Sequence, residues 1–161
     1  MLCDGIPFAM VSIVAGFRDA SEFDVWMLSD QLRQRVRVLV ARQAFARHFK
    51  LRDQLSSAAE SPCPNLTEGF SRYHPKDHAR FVRNAKGSLS ETIEHLKSAA
   101  AFGLIDEREV AELCRLARRA RGAATGLIQY LEKATAPHVP RTAPKEPGRP
   151  RAASKVPPPA R

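Results

Sequence analysis

In this 161-residue chain the side chains best able to do chemistry are a few polar clusters and two rows of arginine. Asn65 and Glu68 lie three apart, on one face of any helix that holds them, in a stretch that otherwise reads as packed. A carboxylate beside a core needs a charged or hydrogen-bonding partner, and Arg80, Arg83 and Asn84 are the candidates downstream. With no second acid–base group at a defined spacing, the pair reads as structural, fixing the register of two helices or a subunit contact. Glu91, Glu94 and His95 crowd together further on. A di-metal site in a helical bundle requires two Glu-x-x-His motifs and two more glutamates, and no glutamate here has a histidine three residues on. His74 and His78 are four apart but flank Pro75 and lack a third ligand, so they read as two exposed imidazoles. Ser88 and Ser90 have no nucleophile elbow around them, and no glycine-rich phosphate loop follows a strand. Cys3, Cys63 and Cys114 form no CxxC pair, which argues against a disulfide framework or a zinc site and for a reducing, cytoplasmic compartment. These residues assign no catalytic group, no metal and no cofactor, and the chain reads as a protein that is not an enzyme.

The arginines point to a different kind of chemistry. Arg33, Arg35, Arg37, Arg42 and Arg47 supply one exposed cationic face, and Arg115, Arg118, Arg119 and Arg121 form a second row. The formal net charge is +9, and Thr135 to Arg161 holds six basic residues against the single acid Glu146. A cationic surface of this kind is either a solvated face or a footprint for a polyanion. The candidate nucleic-acid contacts are Arg33, Arg37, Arg115, Arg118, Arg119 and Arg121, with Arg141, Lys145, Arg149 and Arg151 beyond them. Few aromatic residues fall outside the expected core, so binding to RNA or DNA would be led by the phosphate backbone and weakly sequence-specific. An acidic protein partner, with the chain as a scaffold, is the rival reading.

The elements that position these residues are helical throughout. Val25, Leu28, Leu32, Val36 and Leu39 mark the inner face of a first helix over 23–46. A second helix over 51–72 contains Pro62 and Pro64, which remove backbone donors and predict a kink. Pro75 suits the first turn of a third helix, with Phe81, Ala85, Leu89, Thr92, Leu96 and Ala99 inward and Gly103 just past its end. Asp106 followed by Glu109 has capping-box spacing. Behind it Val110, Leu113, Ala117, Ala120, Ala124, Leu127, Leu131 and Ala134 recur at alternating steps of three and four, the seam of helices packed at a shallow angle. Short turns between four such helices predict an all-α, antiparallel up-and-down four-helix bundle over 23–134. Residues 1–22 are expected as a poorly ordered lead segment: Ile6 to Phe17 is apolar but follows Asp4 and contains Pro7 and Gly16, unlike a signal peptide. Residues 135–161, with eight of the twelve prolines, are expected as a disordered basic tail. No apolar run is long enough to span a membrane.

The stretch from Trp26 to Lys133 resembles the four helix bundle protein family, also called 23S ribosomal RNA intervening-sequence proteins. The resemblance is carried by Asn65-Leu66-Thr67-Glu68-Gly69-Phe70, by Phe81, by Ala85-Lys86-Gly87-Ser88-Leu89-Ser90-Glu91 and by Gly103-Leu104-Ile105 before a capped last helix. Asn65, Glu68, Gly69, Ser88 and Glu91 are its structural motif positions. The sequence departs from the family in placing Cys63, flanked by Pro62 and Pro64, two residues before the asparagine where a single proline is usual. The resemblance implies a ring-like homo-oligomer, usually a pentamer, with no known enzymatic activity. It also implies a link to nucleic acid: some members are encoded inside ribosomal RNA intervening sequences, and distant relatives are retroelement accessory proteins that bind nucleic acid and a reverse transcriptase.

Overall fold

The computed structural model of the chain describes residues 19–72 and 74–134. Both the expected tail over 135–161 and all but four residues of the lead segment lie outside the described residues. Residues 19–22 instead belong to the described fold. Asp19 caps a 3-10 turn by accepting the Ser21 amide at 2.7 Å, and Ala20 is buried beneath it.

Among the described residues five α-helices follow: α1 (Asp24–Val40), α2 (Phe49–Glu60), α3 (Pro62–Phe70), α4 (Pro75–Ala101) and α5 (Glu107–Lys133). α2 and α3 are one leg of the bundle, bent where Pro62 and Pro64 offer no amide to the turn before them. Ser61 at the bend keeps helical dihedrals, so the leg kinks rather than turns away. α1 packs on the bent leg and on α5, and α4 packs on the same leg and on α5, which closes the four-legged antiparallel bundle. No described helix is long and apolar enough to cross a membrane.

The first helix is shorter than its pattern, ending at Val40 rather than Ala46. A continuous helix would carry Phe45 roughly 150° away from the Leu32–Val36–Leu39 stripe, at 100° per residue. Ending α1 lets a 3-10 turn over Gln43–Phe45 swing that ring fully inside, a burial that stabilises by about 1.5–3 kcal/mol. Leu28, expected inward, is half-buried at the edge of the core.

The α4–α5 connection follows its residues closely. Gly103 has φ 70°, its amide reaches Ala100 O at 2.8 Å, and the Leu104 amide reaches Ala99 O at 2.9 Å. This is the Schellman arrangement, which needs a residue at ease with positive φ just past the helix. Asp106 then caps α5, accepting the Glu109 amide at 2.7 Å. The reciprocal half of the capping box does not form, because the Glu109 carboxylate reaches across to Arg42 at 2.7 and 2.8 Å.

Inside, the α5 seam from Leu113 to Leu131 is buried and its alanines at 117, 120 and 124 are fully enclosed. Leu32, Leu39, Phe45, Leu55, Leu89 and Leu96 fill the half nearest the Gly103 turn. Phe23, Leu66, Val82, Ala124, Leu127 and Leu131 fill the other half.

Candidate nucleic-acid interface

With its seam turned inward, α5 must present Arg115, Arg118 and Arg119 on the opposite side, and all three are exposed. Arg121, half-buried, flanks them. None of these four arginines forms an ion pair among the described residues. Spacings of three and four residues set Arg118 and Arg119 each about one helical turn from Arg115.

The arginines of α1 are placed differently. Arg33 pairs with Asp30 and approaches Glu60 at 3.8 Å, and its Nε is buried with no hydrogen-bond partner. Arg37 donates to Glu60 at 2.9 Å, and that hydrogen bond pushes its already high pKa further up. Arg35 donates to Glu112 at 3.1 Å, and Arg108 meets the same carboxylate at 3.3 Å. The two guanidinium groups hold Glu112 below the usual carboxylate range. Carboxylates from α2 and α5 therefore neutralise much of the α1 row, Arg33 and Arg37 included. Between α1 and α5 runs a shallow groove lined by Gln31, Arg35, Glu112, Arg115, Leu116 and Arg119. It continues past Gln34 to Trp26 and Met27. Arg141, Lys145, Arg149 and Arg151 lie outside the described residues.

The motif residues form a structural joint. Asn65 donates from Nδ2 to Ser61 O at 2.9 Å and to Ser61 Oγ at 3.1 Å. Ser88 of α4 donates to the same Ser61 hydroxyl at 2.9 Å. The bond to Ser61 O brings a side-chain donor to the bend made by the prolines. Gly69 lies where α3 meets α4, and a methyl group there would come within 2.9 Å of His78 Cδ2 and Phe81 Cβ.

Glu68 corrects an expectation. It is exposed and pairs with Arg72, just past the end of its own helix, rather than with Arg80, Arg83 or Asn84. Arg83 pairs instead with Glu132 of α5, and both Arg72 and Arg80 cover the Phe81 ring at 5.1 Å. A spacing of three residues suffices to align Asn65 with Glu68 in sequence, but Glu68 falls on the outer edge of α3. Glu91 is likewise exposed, on the outside of α4. His78 corrects another: it is buried, with the Phe23 and Phe70 rings each 6.3 Å away, and burial lowers its pKa. Among the described residues no three His, Cys, Asp or Glu side chains gather as a metal site would require.

Sequence reasoning missed the α1–α5 ion pairs, which no spacing within one helix reveals. It also missed that Phe49 and Phe102 stand in solvent. Their one signal was that neither belongs to an inward stripe.

A family model described as 23S rRNA-intervening sequence protein matches residues 21–125, from the 3-10 turn through most of α5. No curated protein matches the chain.

Proposed function

The chain belongs to the 23S rRNA-intervening sequence protein family, and from that premise we propose that it is a non-catalytic, homo-oligomeric accessory factor that holds RNA or DNA by the phosphate backbone. The observation that carries the reading is the partition of arginines. Arg115, Arg118 and Arg119 are exposed on one face of α5 with no carboxylate joined to them among the described residues, whereas Arg33, Arg35, Arg37 and Arg42 are in ion pairs. A guanidinium group already bound to a carboxylate must give up that partner before it can meet a phosphate; a free one need not. Repetition of this face around a ring of subunits, with the basic residues of 135–161 added, would raise the local field further. The link between the family's name and ribosomal RNA agrees with this chemistry.

Fluorescence anisotropy of a labelled RNA, titrated with salt, tests the reading. Affinity should fall steeply as salt rises, with a log–log slope of roughly 0.7–0.9 in magnitude for each phosphate that the protein neutralises. Changing Arg115, Arg118 and Arg119 together to alanine should flatten that slope. The pair Arg33→Ala and Arg37→Ala should change it little. No binding at about 50 mM salt, or binding indifferent to salt, would refute the proposal; capture of an acidic protein by the same face would then favour the scaffold reading.

A further inference from the structure

Among the described residues four large apolar side chains are strongly exposed, and two of them, Phe49 at 65% and Phe102 at 62%, line one groove at the Gly103 end of the bundle. Arg47, His48, Lys50 and His95 line it with them, and no carboxylate does. The His48 ring leans on Phe102 with centroids 5.4 Å apart and planes at 35°. Neither Arg47 nor Lys50 forms an ion pair among the described residues. Two open aromatic faces beside two free cations are the chemistry of stacking combined with phosphate contact.

We propose that this groove is a stacking platform for unpaired nucleotides, so that the protein prefers single-stranded to fully paired nucleic acid. The inference rests on the nucleic-acid reading above and adds a second, separate contact on the other side of the molecule from the α1–α5 groove. An unpaired nucleotide brings a flat apolar face and an anionic phosphate together, and the groove answers both. A duplex hides its base faces in the stack. An acidic peptide would satisfy Arg47 and Lys50 but leave the rings in water. A second copy of the same surface would set those cations against their own kind.

The test uses the full chain and two labelled probes: an unstructured single strand longer than about 16 nucleotides and the corresponding duplex. In the double variant Phe49→Ala/Phe102→Ala, single-strand affinity should fall at least about fivefold, the low end for removing one base–aromatic stack. Duplex affinity and the salt slope should hold, because no charge is removed. Phe102→Trp should keep single-strand affinity at or above the original. Unchanged single-strand affinity, or equal losses on both probes, overturns the platform. So does a drop in solution mass of the double variant, which would mark the groove as a contact between copies. If the unaltered protein binds duplex but not single strand, only this inference falls; if it binds neither, the parent reading falls too.

Discussion

Gly69→Ala should destabilise the bundle, while the same change at Gly87 or Gly122 should stabilise it. All three glycines lie within helices, at α3, α4 and α5 respectively. In a helix, alanine is favoured over glycine by about 1 kcal/mol, because glycine has more chain entropy to lose. At Gly87 and Gly122 an added methyl group meets nothing within 4 Å, so most of that gain should appear. At Gly69 the methyl would sit 2.9 Å from His78 Cδ2, 2.9 Å from Phe81 Cβ and 3.3 Å from His78 O. Two of those atoms are fixed to the α4 backbone and cannot rotate aside, so α3 and α4 must separate by several tenths of an ångström. Overpacking of this kind costs about 1–3 kcal/mol, which outweighs the helix preference at all but its low end. The expected net loss is about 1 kcal/mol, against a gain of about 0.4–1 kcal/mol at the other two sites. Urea denaturation of the three variants measures the difference directly, provided the slope with denaturant stays constant. A Gly69→Ala protein as stable as its parent would refute the close α3–α4 approach. A Gly87→Ala or Gly122→Ala protein that loses stability in a concentration-dependent way would show that these bare outer positions are covered by another subunit.

Asp106→Ala should cost about 1 kcal/mol by removing the α5 cap. Glu109→Ala should cost less, because its carboxylate serves an exposed pair with Arg42 rather than the cap; urea midpoints would reverse in order if the full capping box existed in solution. Acid should weaken the fold through His78, whose folded pKa burial holds below the ordinary 6.5. The unfolded chain takes up that proton first, so the stability is complete above about pH 6.5 and declines as pH falls below it, by at most about 1.4 kcal/mol per pH unit. Melting temperatures between pH 7.5 and 5.5 should fall more for the parent than for His78→Gln, and parallel curves would contradict the burial.

The fold was legible because its signals are local and agree with one another. The three-and-four seam of α5, Pro75 and Gly103 at the two ends of α4, and the Asp106 cap each determine one feature, and each appears where its residue requires. Where the sequence misled, a tertiary contact had overruled local preference. Nothing between Val40 and Ala46 breaks a helix by propensity, yet the chain turns there because only a turn can bury Phe45. Glu109 has the spacing of a capping-box partner, yet Arg42, far away in sequence, holds it. Periodicity records which face of one helix is apolar, and it is silent on what lies beside the polar face.

That silence matters most for the candidate interface. In sequence the arginines of α1 and α5 look equivalent, since both rows run along the polar sides of amphipathic helices. Their difference is decided by carboxylates on other elements: Glu60 at the end of α2 reaches Arg37, and Glu109 and Glu112 in the first turns of α5 reach Arg42 and Arg35. Three of the four acids of α5 lie near its N-terminus, where the helix dipole and the cap favour them, and the fourth, Glu132 in the last turn, is held by Arg83. The middle of α5 therefore holds cations with no acid of its own within a turn of Arg118. Along the groove beside Arg119 the adjacent α1 offers Gln31 and Gln34, with Asp30 already held by Arg33 and Asp24 in its first turn forming no ion pair with Arg119. A free cationic face thus follows from helix capping at one end and from the pairing of α1 with its neighbours. The surface left over by those two requirements is where an external anion meets the least competition.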